Sequence, residues 1–170
     1  MDRLLINIED VRKYRDIDPK YDLERFNGFL MDIQRRNLRD LLGAGLFRDF
    51  MQNSTQTKYT ELLSGKSYEY DGETIDFYGL VPVLVYWILA KMTREGDIFQ
   101  ANYGSVEFVN NPQQNYQAAK MKEAIAQDYM ISASEYENEV IRFLDENQST
   151  YTLWDTKKET TGLQFTTFKL

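Results

Sequence analysis

Hydrophobic residues recur at helical spacing in the stretch that follows Pro19. With one polar interruption, they lie three and four residues apart at Leu23, Phe26, Leu30, Ile33, Asn37 and Leu41. This spacing places them on one face and predicts an amphipathic helix with a single buried stripe. The Asp18-Pro19 pair predicts the start of that helix, as N-cap and first helical residue, and Gly43 predicts its end.

Shorter helical patterns flank this long helix. Asn7 is a favoured N-cap residue and is followed by Glu9 and Asp10, so a short helix is predicted through Tyr14. After Gly43, the segments "GLFRDFM" and "TKYTELLSG" each predict a short connecting helix.

Two more helices are predicted further along the chain. Residues 78–94 are apolar nearly all the way round, which is typical of a helix buried on several sides, and Pro82 falls in the first turn, where proline is tolerated. Residues 113–147 form a second long helix whose apolar side carries Ala118, Met121, Ile125, Tyr129, Tyr136, Val140, Phe143 and Leu144.

The segment "YEYDGETIDF" predicts a β-hairpin, because Asp-Gly between alternating residues favours a tight two-residue turn. Its acidic residues Asp71, Glu73 and Asp76 could hold a divalent cation, but they lack the spacing of a calcium-binding loop.

Two segments lack helical patterning. The first, residues 97–112, is predicted to be an extended contact loop, with candidate partner-binding residues Phe99, Tyr103, Phe108 and Val109. The second follows residue 150 and carries apolar residues at strand spacing, Leu163, Phe165 and Phe168. Such a segment could add a strand to a partner sheet, and a flexible tail is the alternative.

These patterns predict a mainly α fold: a helical bundle with two long helices, a buried core helix, a small β-hairpin and an extended C-terminal arm. We expect one helical domain over residues 1–150 and the arm over residues 151–170. A chain of 170 residues is long enough to bury a sizeable core.

Composition excludes several classes of site. The chain has no histidine and no cysteine, so Cys/His metal centres, cysteine nucleophiles, Ser-His-Asp triads and disulfides are impossible. No phosphate-binding glycine loop, dinucleotide-binding turn or zinc-protease motif is present. We therefore expect no cofactor, no metal and no enzymatic activity, with a carboxylate-dependent hydrolase as a minor alternative.

Charge and aromatic content bear on partners. The formal net charge of -7 argues against wrapping nucleic acid, although Arg35, Arg36 and Arg39 could form a basic contact strip on an otherwise solvated helix face. Aromatic residues make up 14% of the chain, which suits either an aromatic-rich core or subunit interfaces.

No membrane association is expected. The opening "MDRLLINIEDV" has an apolar stretch too short for a signal peptide, and residues 77–92 contain a proline and a lysine and are too short to span a bilayer. The expected site of synthesis is the cytoplasm.

Two phrases of the sequence resemble a known family. The family opens with "hydrophobic-x-x-x-E-x-V-K-x-Y-L-x-I-D" and continues with a helix that ends "hydrophobic-x-x-hydrophobic-L-G"; this chain has "INIEDVRKYRDID" and "LRDLLG". With "GLVPVLVYWILAKM" and "NYGSVEFVNNPQQNY", residues 4–155 resemble head-tail connector, or adaptor, proteins of tailed bacteriophages, including neck ring proteins of crAss-like and Bacteroidetes phages. Arg15 departs from the pattern, since Leu is common there.

The resemblance implies a structural virion protein made in the host bacterial cytoplasm and located in the neck. Copies would form a ring, commonly dodecameric, that binds the portal protein and the next neck or tail component. Genomic DNA would pass through its channel without specific binding. The alternative from another class is a small bacterial helical binding or regulatory domain.

Overall fold

A computed structural model describes residues 3–95, 99–101, 104–106 and 112–155, with side chains for residues 3–95 and 119–155. In chain order the elements are α1 (Ile8–Arg12), α2 (Leu23–Ile33), a π-helical segment (Gln34–Leu38), α3 (Arg39–Asn53), α4 (Thr57–Ser64), β1 (Lys66–Tyr70), β2 (Glu73–Phe77), α5 (Leu80–Glu95), β3 (Phe99–Ala101), β4 (Gly104–Val106) and α6 (Pro112–Glu146). The predicted mainly α fold with a small hairpin is confirmed.

The short first helix is capped as its sequence predicts. The Asn7 side chain accepts hydrogen bonds from the backbone N–H groups of Glu9 and Asp10, and the Asp10 carboxylate accepts one from the Asn7 N–H. This capping box satisfies backbone donors that the first turn leaves unpaired. Helix α1 ends at Arg12, two residues earlier than predicted.

The predicted start of the long helix at Asp18-Pro19 is wrong. Asp18 accepts a hydrogen bond from the Lys20 N–H at 2.8 Å and therefore closes a local turn. Helix α2 begins at Leu23, where Asp22 is the N-cap and accepts from the N–H groups of Glu24 and Arg25. Of two aspartates that could cap, the later one starts the helix.

The buried stripe of this helix changes phase in the middle. Phe26, Leu30 and Ile33 are buried as predicted, but beyond them Leu38 and Leu42 fill the core in place of Asn37 and Leu41. The π-helical segment accounts for the shift, because its wider turn inserts one residue into the helical repeat. Leu23, at the other end of the predicted stripe, is 54% exposed.

The same π-helical segment holds the N-terminal segment in place. Gln34 is 1% exposed, and its side-chain amide accepts a hydrogen bond from the Leu5 N–H at 2.8 Å and donates one to the Arg3 carbonyl at 2.9 Å. The amide thus satisfies one donor and one acceptor of the same stretch of backbone. A buried amide needs such partners to offset its desolvation.

Gly43 breaks the helical path, as predicted. Its backbone angles, φ 77° and ψ 153°, are outside the helical region and are readily adopted only by glycine. The chain is helical again directly afterwards, with Leu46 and Phe50 in the core. Helix α4 follows and ends at Gly65, as its sequence predicts.

The predicted hairpin is confirmed. Strands β1 and β2 pair antiparallel, with Tyr70 opposite Glu73, and the two turn residues Asp71 and Gly72 have φ of 51° and 81°. Positive φ at both central residues is the type I′ turn whose twist matches that of the strands.

Helix α5 is the centre of the molecule, as predicted for the apolar helix. Its buried residues point in every direction: Leu80, Pro82, Val83, Leu84, Val85, Trp87, Ile88, Leu89 and Ala90. It packs mainly against α6, and also against α1, α2 and α4. The predicted second long helix is α6, whose buried positions include Ala126, Ala133 and Val140, whereas Met121 is 56% exposed.

The first residues after α6 pack on the helical body. Tyr151 is buried, its ring lies 5.7 Å from that of Phe143, and its hydroxyl donates a hydrogen bond to the Lys58 carbonyl at 2.6 Å. The Trp154 indole N–H donates to Asp145 at 2.7 Å. Of the predicted arm, residues 156–170 lie outside the described residues.

Replacing Gln34 with alanine should destabilise the fold by about 1–3 kcal/mol, because the Leu5 N–H and Arg3 carbonyl lose their partner in a partly buried place. Gln52→Ala is the matched control, since Gln52 is exposed on α3 and its loss should change stability by less than about 0.5 kcal/mol. Urea unfolding followed by circular dichroism measures both. Equal midpoints would contradict the proposed role of Gln34.

At Gly79 two stretches of backbone approach closely, whereas Gly72, with nearly the same φ, lies in open space. The two glycines therefore allow a matched test of this close approach. A Cβ on Gly79 (φ 79°) would lie 2.5 Å from the Leu63 carbonyl oxygen, whereas one on Gly72 (φ 81°) would meet nothing within 4 Å. We expect Gly72→Ala to cost about 1–2 kcal/mol for its left-handed backbone alone. Gly79→Ala should cost about 1–3 kcal/mol more, because backbone must move. Thermal unfolding compares the two variants. An equal loss of stability would show that the backbone around Gly79 can accommodate a Cβ without cost.

Candidate functional site

An open groove of about 520 Å³ lies beside the break at Gly43. Its walls come from the end of α2, the π-helical segment and α3. The lining residues are Met31, Gln34, Arg35, Arg39, Ala44, Phe47, Arg48 and Met51. We call this the arginine groove.

The break at Gly43 brings the two walls of the arginine groove together. Arg35 and Arg39 are four residues apart and so lie on the same side of the chain before the break. The non-helical backbone at Gly43 then redirects α3, and Phe47, Arg48 and Met51 become the opposite wall. Without the break, a straight helix would carry these residues away from Arg35 and Arg39.

The arginine groove combines positive charge with an apolar floor. Three guanidinium groups line it, from Arg35, Arg39 and Arg48, and none of its lining side chains is acidic. Within the described parts of the chain, Arg39 and Arg48 have no ion-pair or hydrogen-bond partner. Guanidinium groups bind carboxylates in a two-pronged geometry, so the groove is suited to an anionic group attached to an apolar one.

The predicted basic strip is thus partly assembled into a site. Arg35 and Arg39 line the groove, while Arg36 is exposed and does not. Sequence reasoning missed Arg48, because helical periodicity could not be carried across the break at Gly43.

The predicted aromatic contact residues cannot be placed in the same way. Phe99 lies in β3, paired opposite Val106, and its side chain is outside the described residues. The structure does not describe Tyr103, Phe108, Val109, Leu163, Phe165 or Phe168. The short β3–β4 pair occupies part of the segment for which a contact loop was predicted.

The aromatic residues of the described chain serve both the core and the surface. Phe26, Phe50, Tyr59, Phe143 and Tyr151 are fully buried. A seam of half-exposed tyrosines also runs between α1, α5 and α6: the ring of Tyr86 lies 6.0 Å from that of Tyr14, 6.3 Å from that of Tyr129 and 5.8 Å from that of Tyr136. The unusual Arg15 places its guanidinium 5.8 Å from the Tyr129 ring.

Two carboxyl groups of α6 have raised pKa values but do not share a cleft. Burial raises the pKa of Glu137, which accepts a hydrogen bond from the Trp87 indole at 2.8 Å. Burial also raises the pKa of Glu139. Residues two apart on a helix point to different sides, so this pair lacks the geometry that carboxylate-dependent hydrolysis requires.

The described residues offer neither a metal-binding cluster nor a membrane-spanning helix. No group of three or more acidic side chains there is arranged to hold a metal ion, and this includes Asp71, Glu73 and Asp76. No described helix has both the length and the hydropathy needed to cross a bilayer.

Replacing Glu137 with glutamine should stabilise the fold at pH 7. The folded-state pKa of Glu137 is raised above its ordinary 4.5, so the ionised carboxylate disfavours folding above the folded pKa, and this cost disappears as the pH falls towards 4.5. Thermal unfolding of Glu137→Gln should therefore show a gain at pH 7 that shrinks in acid. Glu135→Gln, at an exposed site on the same helix, is the control. A loss of stability at pH 7 would contradict the assignment.

Comparison with known proteins places most of the described chain in one family. Residues 38–162 match the model of a family of unknown function (DUF6712). The match covers α3 to α6 and includes these lining residues of the groove: Arg39, Ala44, Phe47, Arg48 and Met51. No curated protein and no solved structure gives a significant match. Because the match covers well over half of its length, the chain belongs to this family of unknown function, DUF6712.

Proposed function

We propose that the protein is a structural, non-enzymatic component of the neck of a tailed-phage virion. In this proposal, copies of the chain form a ring under the portal, join head to tail and continue the DNA channel. The next neck or tail component would bind the ring on its other side.

The observation that carries the proposal is the resemblance in "INIEDVRKYRDID" and "LRDLLG", together with what these phrases form here. The first contains the capping box of α1, and the second ends at the break beside the arginine groove. The phrases that resemble connector proteins therefore coincide with the capped start of α1 and with the break at Gly43.

The remaining observations agree with a binding role. The arginine groove offers the guanidinium groups of Arg39 and Arg48, which have no partner among the described residues, and an apolar floor, which suit a protein partner better than a reacting substrate. A formal charge of -7 also suits a channel that DNA must pass through without adhering. The same groove on a lone subunit would instead favour the alternative, a small bacterial helical binding or regulatory domain.

The first measurement is the mass in solution, alone and with the portal protein of the same genome, by light scattering at several concentrations. We expect a ring, or a complex with the portal. A monomer at every concentration that also fails to bind the portal would contradict the proposal and favour the helical binding domain.

Substitutions in the two undescribed segments extend this test. If the predicted contact loop and arm bind neighbours, Phe108→Ala and Phe165→Ala should each reduce assembly while circular dichroism shows an unchanged helical fold. Leu153→Ala, at a side chain that is 52% exposed next to the body, is a matched surface control. Unchanged assembly in both variants would remove these residues from the proposed interface.

A further inference from the structure

The tip of the β1–β2 hairpin is acidic and exposed. Residues 69–73, "EYDGE", place three carboxylates around Tyr70, which is 49% exposed. In the described structure Glu69, Asp71 and Glu73 have no ion-pair or hydrogen-bond partner. No lysine or arginine occurs from Ser67 to Phe77. We call residues 69–73 the acidic tip.

The body holds this tip in a fixed position. At the base of the hairpin, the Phe77 ring stacks on that of Phe143 at 4.0 Å, and the Tyr68 ring meets Phe143 edge-on at 5.2 Å. The Tyr68 hydroxyl donates a hydrogen bond to Glu146. A tip that is already ordered loses little conformational entropy when it binds a partner.

The acidic tip and the arginine groove are complementary in charge and in polarity. The tip carries three carboxylates around one aromatic ring, and the groove carries three guanidinium groups around Met31, Phe47 and Met51. Carboxylates bind guanidinium groups directly, and a tyrosine on an apolar floor is a common energetic centre of protein interfaces.

The two surfaces are also formed by different segments of one subunit. The hairpin that carries the tip packs on α6. The groove is built by the end of α2, the π-helical segment and α3. A contact between two different surfaces joins subunits head to tail and generates a ring if the rotation closes.

We infer that the acidic tip of one copy docks in the arginine groove of the next copy. This inference rests on the proposed ring and names the contact that would build it. Tyr70 enters the apolar floor, while Glu69, Asp71 and Glu73 face Arg35, Arg39 and Arg48. Since each copy offers one tip and one groove, the contact repeats around the ring.

Charge reversal on each side tests this contact. Arg48→Glu alters the groove and Glu73→Arg alters the tip, and each variant alone should need about tenfold more protein to assemble, equivalent to about 1.4 kcal/mol. An equimolar mixture of the two should assemble nearly as well as the wild type. Half of its contacts are then native, and the other half join the two reversed residues with opposite charges.

Matched controls separate this contact from a general effect of charge. Arg36→Glu makes the same change next to the groove, and Glu135→Arg makes it at an exposed site on α6. Both controls should assemble as the wild type does, by sedimentation velocity at low salt. Weak assembly of Arg48→Glu and Glu73→Arg without rescue in their mixture would overturn the inference. Assembly of these two variants at the wild-type level would overturn it as well.

A cross-linking experiment covers weak association. The chain has no cysteine, so Ala44→Cys in the groove and Thr74→Cys beside the tip introduce the only thiols. With a bismaleimide reagent, the double variant should give a ladder of covalent oligomers, whereas each single variant should not extend beyond dimers. The absence of a ladder would overturn the inference.

The outcomes also distinguish this inference from the proposed function. If the protein forms rings or binds the portal while the reversals and the cross-linking show no effect, the inference fails and the connector proposal stands. If the protein neither self-associates nor binds the portal, both fail. If Arg48→Glu loses assembly while Glu73→Arg keeps it, the groove has another occupant and the inference is overturned.

Discussion

The rest of the structure depends on one extra residue in the backbone of the first long helix. The π-helical segment moves the buried face from Asn37 and Leu41 to Leu38 and Leu42, so the core on either side of it is continuous. It also turns Gln34 inwards, where its amide pairs with the backbone of the N-terminal segment. Wide helical turns cost backbone stability and often occur at functional positions. Here the turn attaches the N-terminus through Gln34, and the same residue lines the arginine groove.

Elements whose signals are local could be predicted from the sequence. Asp71-Gly72 determines its turn by backbone angles alone, and the apolar helix around Trp87 has no exposed face that could change its interpretation. The capping box at Asn7 is equally local.

Elements decided by competition or by distant contacts could not be predicted. Asp18 and Asp22 both have the chemistry of an N-cap, and the sequence does not show which one the chain uses. The π-helical segment has no composition that distinguishes it from an α-helix, so the stripe was continued in the wrong phase. Arg48 joins Arg39 only through the backbone of Gly43, a relation that a fixed helical period does not include.

The distribution of charge gives the molecule a polarity that its net charge conceals. An acidic chain keeps the guanidinium groups of Arg39 and Arg48, which have no partner among the described residues, beside the break at Gly43, and it keeps three carboxylates at the tip of a hairpin that packs on α6. Under the proposed function, this separation of charge would make neighbouring copies associate in one orientation, with the tip of one copy towards the groove of the next.

The buried Tyr151 fixes the point from which the following residues leave the helical body. Its hydroxyl is bonded to the Lys58 carbonyl of α4, and Trp154, three residues further on, is bonded to Asp145 near the end of α6. Phe168 follows Tyr151 by 17 residues, so covalent geometry keeps it within roughly 60 Å of this anchor, whatever conformation the chain adopts. Any surface that Leu163, Phe165 or Phe168 contacts on another molecule must therefore lie within that distance of Tyr151.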